Sequence, residues 1–296
     1  MSGYATGHFG KWHLNGLRGP GIPLLKDDPV SPGAVGFDTW LTVSNFFDIN
    51  PLMSENGSFK SFKGDSSQVI VDEALKFIES SKKSDPEQPF FAVIWDGSPH
   101  SPFHASESDR QSFTALERDS QHHYGELVAF DRALGRLRKR LRIMGIADDT
   151  LIWFNSDNGG LGNISPDTVG DLRGKKGSIW EGGLRVPAII EWPNNIKAQI
   201  TNYPASTMDI FPTIAALLDL PDEVLTKPVD GKSLLPLFQQ RITKRKTAIP
   251  FYYMDKGALV DNDYKLVALS VKDGKFELYN LAADTNESKN LAKEKP

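Results

Sequence analysis

Cysteine is absent from the 296 residues. Disulfides, thiolate zinc sites and a cysteine nucleophile are therefore excluded within this chain. No apolar run approaches the ~20 residues that a membrane-spanning helix needs. The opening Met1-Ser2-Gly3-Tyr4 has neither the basic start nor the apolar stretch of an export signal. An excess of either charge sign is lacking too: 34 basic and 38 acidic residues leave a net charge of −4. That balance argues against a generic polyanion binder, so neither nucleic acid nor membrane is an expected partner. Internal repeats and long low-complexity tracts are missing as well. Oligomeric state has no signature in the sequence.

What is present is ordinary for a soluble globular protein, with 39% hydrophobic and 24% charged residues. The length suits one large domain plus a small one. Residues 14–35 are rich in Gly and Pro and read as a long surface loop. Asp65 is a candidate N-cap for a helix reaching about Ser80, with Ile70, Ala74, Phe77 and Ile78 on one face. Phe90 to Trp95 is a continuous apolar run, as in a buried parallel strand. Leu127, Phe130, Leu134, Leu137, Leu141 and Met144 recur at helical spacing, and Gly145 stands where that helix would stop. Thr150 to Phe154 is a second strand candidate, so strand, helix and strand read as a βαβ unit. Ala188 to Trp192 is a third strand candidate, and Pro212 suits the first turn of a helix carrying Ile214, Leu217 and Leu218.

The pattern changes after Phe238. Short segments at Ile249–Tyr253, Tyr264–Leu269 and Phe276–Tyr279 alternate with turns, Lys272-Asp273-Gly274-Lys275 among them. The expected fold is an α/β sandwich with a largely parallel central sheet flanked by helices, plus a small C-terminal antiparallel α+β subdomain. Residues 1–240 form the core in this reading, and 241–296 form the subdomain and tail.

In open α/β sheets, ligands bind beyond the carboxyl ends of the strands. The segments that follow the strand candidates are Asp96 to Pro102, Asn155 to Gly160, and Arg173 to Gly177 leading to Glu181-Gly182-Gly183. Parallel neighbouring strands would bring these loops to one rim. Asp157 and Asn158 offer hard oxygen ligands suited to Ca²⁺ or Mg²⁺, while His and Lys supply donors for a tetrahedral sulfate or phosphate ester.

Singly, each motif has a plainer reading. Asp-Asn-Gly-Gly is a turn, His100 packs a loop, Lys175 and Lys176 are solvated, and His13 caps a core edge. His122 and His123 read as surface residues at the start of the long helix, and His104 as structural. The basic run Arg136, Arg138, Lys139, Arg140 and Arg142 suits a solvated face near a helix C-terminus.

Order and combination carry more than any single motif. Gly3 to Leu14, with its Gly10-Lys11-Trp12-His13 ending, resembles the second signature of the type I sulfatases, sulfate-ester hydrolases of the alkaline phosphatase superfamily. Further matches follow in family order: Pro99-His100-Ser101-Pro102, Phe130-Asp131-Arg132, Ser156-Asp157-Asn158-Gly159-Gly160, Leu172 to Gly177, Glu181 to Pro187, Thr207 to Thr213, and Glu277 to Leu281. They span nearly the whole chain and look most similar to bacterial proteins of the N-acetylgalactosamine-6-sulfatase kind.

The resemblance implies Asp157 and Asn158 as ligands of one Ca²⁺, Lys11 and His13 beside the nucleophile, and His100 and Lys176 on the sulfate. Lys176 is the matching lysine because it directly precedes Gly177. It also implies a sulfated small molecule or saccharide as substrate, a pocket built from variable loops at 14–63 and 161–171, and a periplasmic or secreted location.

The family pattern further includes a strand ending in paired aspartates and Cys-x-Pro-x-Arg or Ser-x-Pro-x-Arg, whose Cys or Ser becomes formylglycine. Neither occurs in these 296 residues. The expectations that follow are an upstream start for the natural chain, missing N-terminal strands, an exposed sheet edge, poor Ca²⁺ affinity and no activity of this chain alone. The alternatives are a non-catalytic truncated homologue and a phosphate ester hydrolase of the same superfamily.

Overall fold

The computed structural model describes residues 3–15, 21–45 and 47–295. Residues 16–20 of the expected 14–35 loop lie outside the described residues. The chain divides into two compact units, residues 1–146 and 147–296, and each is built on its own sheets.

The first unit contains β1 (Ala5–Lys11), β2 (Thr39–Val43), β3 (Leu52–Glu55), β4 (Ser58–Ser61), α1 (Ser66–Ser84), β5 (Phe90–Trp95), α2 (Glu107–Arg110) and α3 (Arg118–Ile143). Its sheet runs β4-β3-β2-β1-β5. β1 is parallel to both β2 and β5, with Lys11 opposite Val43 and Gly10 opposite Trp95. β3 and β4 join antiparallel through Asn56-Gly57, both at positive φ (48° and 89°), as a tight two-residue hairpin requires. Strands β2 to β4 thus occupy part of the 14–63 region that the sequence reading leaves as loop.

α1 begins where expected. Asp65 accepts the main-chain N–H groups of Ser67 and Gln68, satisfying two of the orphan donors of the first turn. Its buried face, with Ile70, Ala74, Leu75 and Ile78, packs on β1 and β5, and α3 packs against it. Two basic residues of the α3 run, Arg136 and Arg140, pair with Asp72 and Glu79 of α1.

α3 differs from expectation in start and in face. It starts at Arg118, so His122 and His123 lie well inside it, and both are buried, at 6% and 5% exposure. The surface assignment for them is therefore wrong. The buried stripe is His122, Glu126, Ala129, Ala133, Leu137 and Leu141, whereas Leu127 is 37% exposed. A stripe with four of these six positions taken by Ala, His and Glu is invisible to a count of large apolar residues. Gly145, at φ +71°, ends the helix as expected.

β5 also departs from the reading as a buried strand. It lies at the end of its sheet, and among the described residues no strand pairs with its second edge. Phe91 and Trp95 are 38% and 45% exposed.

The second unit contains β6 (Ile152–Asn155), α4 (Glu181–Leu184), β7 (Ala188–Glu191), α5 (Ile210–Leu217), α6 (Leu235–Phe238), β8 (Ile249–Tyr253), β9 (Lys256–Asp261), β10 (Tyr264–Ala268) and β11 (Glu277–Asn280). β6 pairs antiparallel with β7 rather than continuing a parallel sheet with β5, so the expected βαβ pairing is not formed. The last four strands make an antiparallel sheet in the order β11-β10-β9-β8.

Two buried ion-pair systems hold this unit. Asp209 takes the fork of Arg245 at 2.7 and 2.9 Å and also accepts from the main-chain N–H groups of Ser206 and Lys232. Lys265, fully buried, lies 2.8 Å from both Glu181 and Glu287. This triad ties α4 to β10 and to the chain after β11.

Truncating the Lys265 ammonium would leave two buried carboxylates facing each other. Lys265→Met is expected to cost about 3–5 kcal/mol, read as a lower urea midpoint. An unchanged midpoint would mean that the triad contributes nothing net.

Candidate active site

Parallel pairing sets the first group of residues. The carboxyl ends of β1, β2 and β5 lie at one edge of the sheet, so the chain leaves that edge at Lys11-Trp12-His13, at Ser44-Asn45 and at Asp96 to His100. The first two segments run side by side: Trp12 N–H donates to Val43 O at 2.8 Å and His13 N–H to Ser44 O at 2.6 Å. His13 takes φ 51°, a left-handed conformation that ends the strand, and its side chain is exposed. Trp12 is buried, and its indole N–H donates to Val30 O. The structure therefore brings the sequence-predicted Lys11, His13 and His100 to one edge of one sheet.

Ser44 and Asn45 were not singled out by sequence. Both are buried, and Ser44 Oγ and Asn45 Oδ1 have no hydrogen-bond partner. Buried polar atoms are almost always satisfied; these two are enclosed by protein beside the segment that carries Lys11 and His13. The available signal was their position directly after β2, had that strand been recognised.

His8 supports this edge from beneath. It is fully buried, its Nδ1 lies 2.9 Å from Thr42 Oγ1, and Trp12, Phe37 and Trp95 meet its ring edge-on. Burial lowers its pKa to about 3, so it stays neutral at ordinary pH.

Carboxylates gather behind the same edge. Burial raises Asp96 to about 6, opposed by N–H donation from Ser98. It also raises Asp48 to about 7 and Glu126 to about 9, each helped by neighbouring carboxylates. Glu126 is fully buried, with Oε2 unpartnered and Oε1 accepting from His104 N–H.

In the second unit, Asp157 and Asn158 follow β6 and Lys176 follows Arg173-Gly174-Lys175. The loops that carry them are stitched together by the main chain: Lys176 N–H donates to Gly160 O at 2.9 Å and Gly159 N–H to Gly183 O at 3.1 Å. A Cβ at Gly159 would stand 1.9 Å from Gly182 O, so only glycine permits this approach. The two neighbouring lysines differ in surroundings. Lys175 lays its stem over Gly162, where a Cβ would stand 2.3 Å from Lys175 Cδ, and Lys176 is exposed. Arg173 is structural: its guanidinium stacks 3.6 Å from the Trp180 ring and donates to Tyr279 Oη and Glu287 O.

The oxygens of Asp157 and Asn158 suit Ca²⁺ in kind. Asn158 spends its Nδ2 on Gly159 O, which leaves the amide oxygen for a cation. Ca²⁺ takes six to eight oxygens, and no cluster of three or more His, Cys, Asp or Glu able to hold a metal exists among the described residues. Two oxygens alone do not make a Ca²⁺ site.

Each unit thus presents polar, chemistry-bearing residues of its own: Lys11, His13 and His100 in the first, and Asp157, Asn158 and Lys176 in the second. The comparisons name the family. The family model described as Sulfatase matches residues 1–220, and that described as N-sulphoglucosamine sulphohydrolase, C-terminal, matches residues 175–296. The chain belongs to the sulfatase family.

It is 31% identical over 275 residues to N-acetylgalactosamine-6-sulfatase of Sus scrofa, covering 85% of this chain and 49% of that protein. It is 28% identical over 250 residues to the ulvan-active sulfatase of Formosa agariphila, covering 75% and 46%. The chain spans about half the length of the curated relatives it matches. Among solved structures, Ps i-CgsB superposes with a TM-score of 0.81 at 24% identity, covering 99% of this chain and 68% of that one. BT4656, solved in complex with its substrate D-glucosamine-2-N,6-O-disulfate, superposes at 0.72 and 18% identity, covering 99% and 77%.

The buried acids predict a pH signature. Glu126 has a folded pKa near 9, above its unfolded value of 4.5, so its contribution is complete below about pH 4.5 and is lost as pH rises towards 9. Glu126→Gln removes that loss. Its melting temperature should match the wild type near pH 4 and exceed it increasingly up to pH 9. A constant offset across that range would contradict the assignment of a neutral Glu126.

Proposed function

We propose that this chain serves the hydrolysis of sulfate esters, with a sulfated saccharide as the substrate class and the ester's anionic head held at the strand ends. The observation that carries the reading is the gathering of Lys11, His13 and His100 at one parallel-sheet edge, in a chain of the sulfatase family. The names of the relatives support the substrate class: N-acetylgalactosamine-6-sulfatase and an ulvan-active sulfatase in sequence, and in structure an enzyme bound to a sulfated glucosamine.

The roles follow from charge and geometry. His100 is the first unit's donor to sulfate oxygens and Lys176 is the second unit's candidate donor, and such charge-assisted bonds are roughly twice as strong as neutral ones. Donors already in place offset the charge that builds on those oxygens as the S–O bond breaks. Lys11 and His13 hold the attacking group and pass protons. In the family that group is a hydrated formylglycine, which attacks sulfur. These 296 residues contain no cysteine and no Ser-x-Pro-x-Arg from which to form one, and no other side chain at this edge substitutes for that nucleophile. The 296-residue chain is therefore a sulfate-ester binder without turnover of its own. Asp157 and Asn158 are oxygen ligands of the right kind for Ca²⁺, and by themselves too few to hold it.

Two measurements test this. Residues 1–296 should release no fluorophore from 4-methylumbelliferyl sulfate above the buffer rate; measurable turnover would refute the missing-nucleophile part. His100→Ala and Lys176→Ala should each weaken inorganic sulfate binding about tenfold, or about 1.4 kcal/mol, in calorimetric titration. Unchanged affinity in both variants would refute the assigned anion contacts.

A further inference from the structure

The segment from Asp96 to Ala105 carries His100, and it is held at both ends by buried acceptors that the ester chemistry does not use. At its start, Asp96 Oδ1 accepts the N–H of Ser98 at 2.9 Å. At its end, two consecutive main-chain donors meet α3: Glu126 Oε1 accepts the N–H of His104, and His122 Nδ1 accepts the N–H of Ala105 at 3.0 Å. His122 and Glu126 are four residues apart, so they lie on the same helix face, one turn above the other. They are 6% and 0% exposed. Between them and the loop, Phe103 is buried and meets the His123 ring edge-on at 5.2 Å between centroids.

Two polar groups inside an otherwise apolar helix stripe are costly unless they are needed. Their acceptors match the spacing of two adjacent peptide N–H groups, so their placement is specific to this loop.

We propose that Glu126 and His122 are positioning residues for His100, fixing the loop that presents it by accepting the main-chain N–H groups of His104 and Ala105. The proposal rests on the reading of His100 as an anion contact. Two chemical consequences follow. His122 must be neutral, with its proton on Nε2, because a protonated ring has no acceptor left. The groups facing it are Arg110 of α2, Arg118, Asp119 and Glu126 of α3, and His104 of the loop. Burial first, then the positive charges, keeps His122 below its usual pKa, with Asp119 opposing. Glu126 needs only its Oε1, so an amide serves equally well.

Amide hydrogen exchange on residues 1–296 tests the pinning, with inorganic sulfate as the binding probe. Glu126→Gln should keep the protection of the His104 and Ala105 amides and bind sulfate within twofold of wild type. Glu126→Leu should speed exchange of those amides roughly tenfold or more, leave α1 and β1 protected, and weaken sulfate several-fold. His122→Asn, whose amide oxygen takes the place of Nδ1, should hold protection as the pH falls below the ordinary histidine range, where the wild type loses it. Unchanged loop exchange in Glu126→Leu would overturn the proposal, as would Glu126→Gln behaving like Glu126→Leu. Should Glu126→Leu not fold, the Glu126→Gln and His122→Asn exchange profiles decide alone. Wild-type protein that protects these amides but does not bind sulfate would defeat the ester-binding reading and leave the pinning intact.

Discussion

The parallel pairing of β1 with both β2 and β5 is the constraint on which the candidate site depends. A parallel ladder sends every strand end to the same side, so polar residues that follow those strands collect there without further instruction. The registers place Lys11 beside Val43 and Gly10 beside Trp95, which sets His13, Ser44 and the Asp96 segment at one level. Antiparallel pairing of any of these strands would send one of these segments to the opposite edge.

Behind that edge the protein keeps an unusual density of buried polar groups. His8 is neutral among aromatic rings, and Asp48, Asp96 and Glu126 are pushed towards their protonated forms by burial and by one another. The three raised carboxyls lower stability at neutral pH, where the unfolded chain would ionise them freely, whereas His8 lowers it only in acid, below its unfolded pKa of 6.5. Proteins keep such costs mainly where the arrangement of a site needs them. Here the acceptors at positions 122 and 126 hold the main chain that carries His100. The second unit uses a different device: main-chain hydrogen bonds and glycines bring the Asp157 and Lys176 loops together.

Sequence reasoning reached the elements whose signals are strong and local. The Asp65 cap, the Gly145 stop, β5, and the β8, β10 and β11 strands fall close to where side-chain patterns put them. The family motifs singled out Lys11, His13, His100, Asp157, Asn158 and Lys176; Lys11 closes β1 and His13 follows it, His100 lies in the segment after β5, Asp157 and Asn158 follow β6, and Lys176 lies in the segment before α4. What was not legible depends on tertiary context. β2 was hidden because Thr39 to Val43 is short and embedded in Gly- and Pro-rich sequence. β9 was hidden because Lys-Gly-Ala-Leu-Val-Asp has weak strand propensity. The Asn56-Gly57 hairpin signal was present and passed over. His122 and His123 looked like surface residues, and Glu126 was not singled out, because burial of polar groups depends on what packs over them, here the 97–105 loop, and no helical period reveals that.

Anion capture at the β1 and β5 ends is most directly tested by following all six histidine rings by NMR while inorganic sulfate is added. The resonances of His100 and His13 should shift with a common saturating dependence, while His8, His122 and His123, buried away from the anion, stay in place. Sulfate that leaves His100 and His13 unmoved, or that shifts the buried rings instead, would contradict an ester site at this sheet edge.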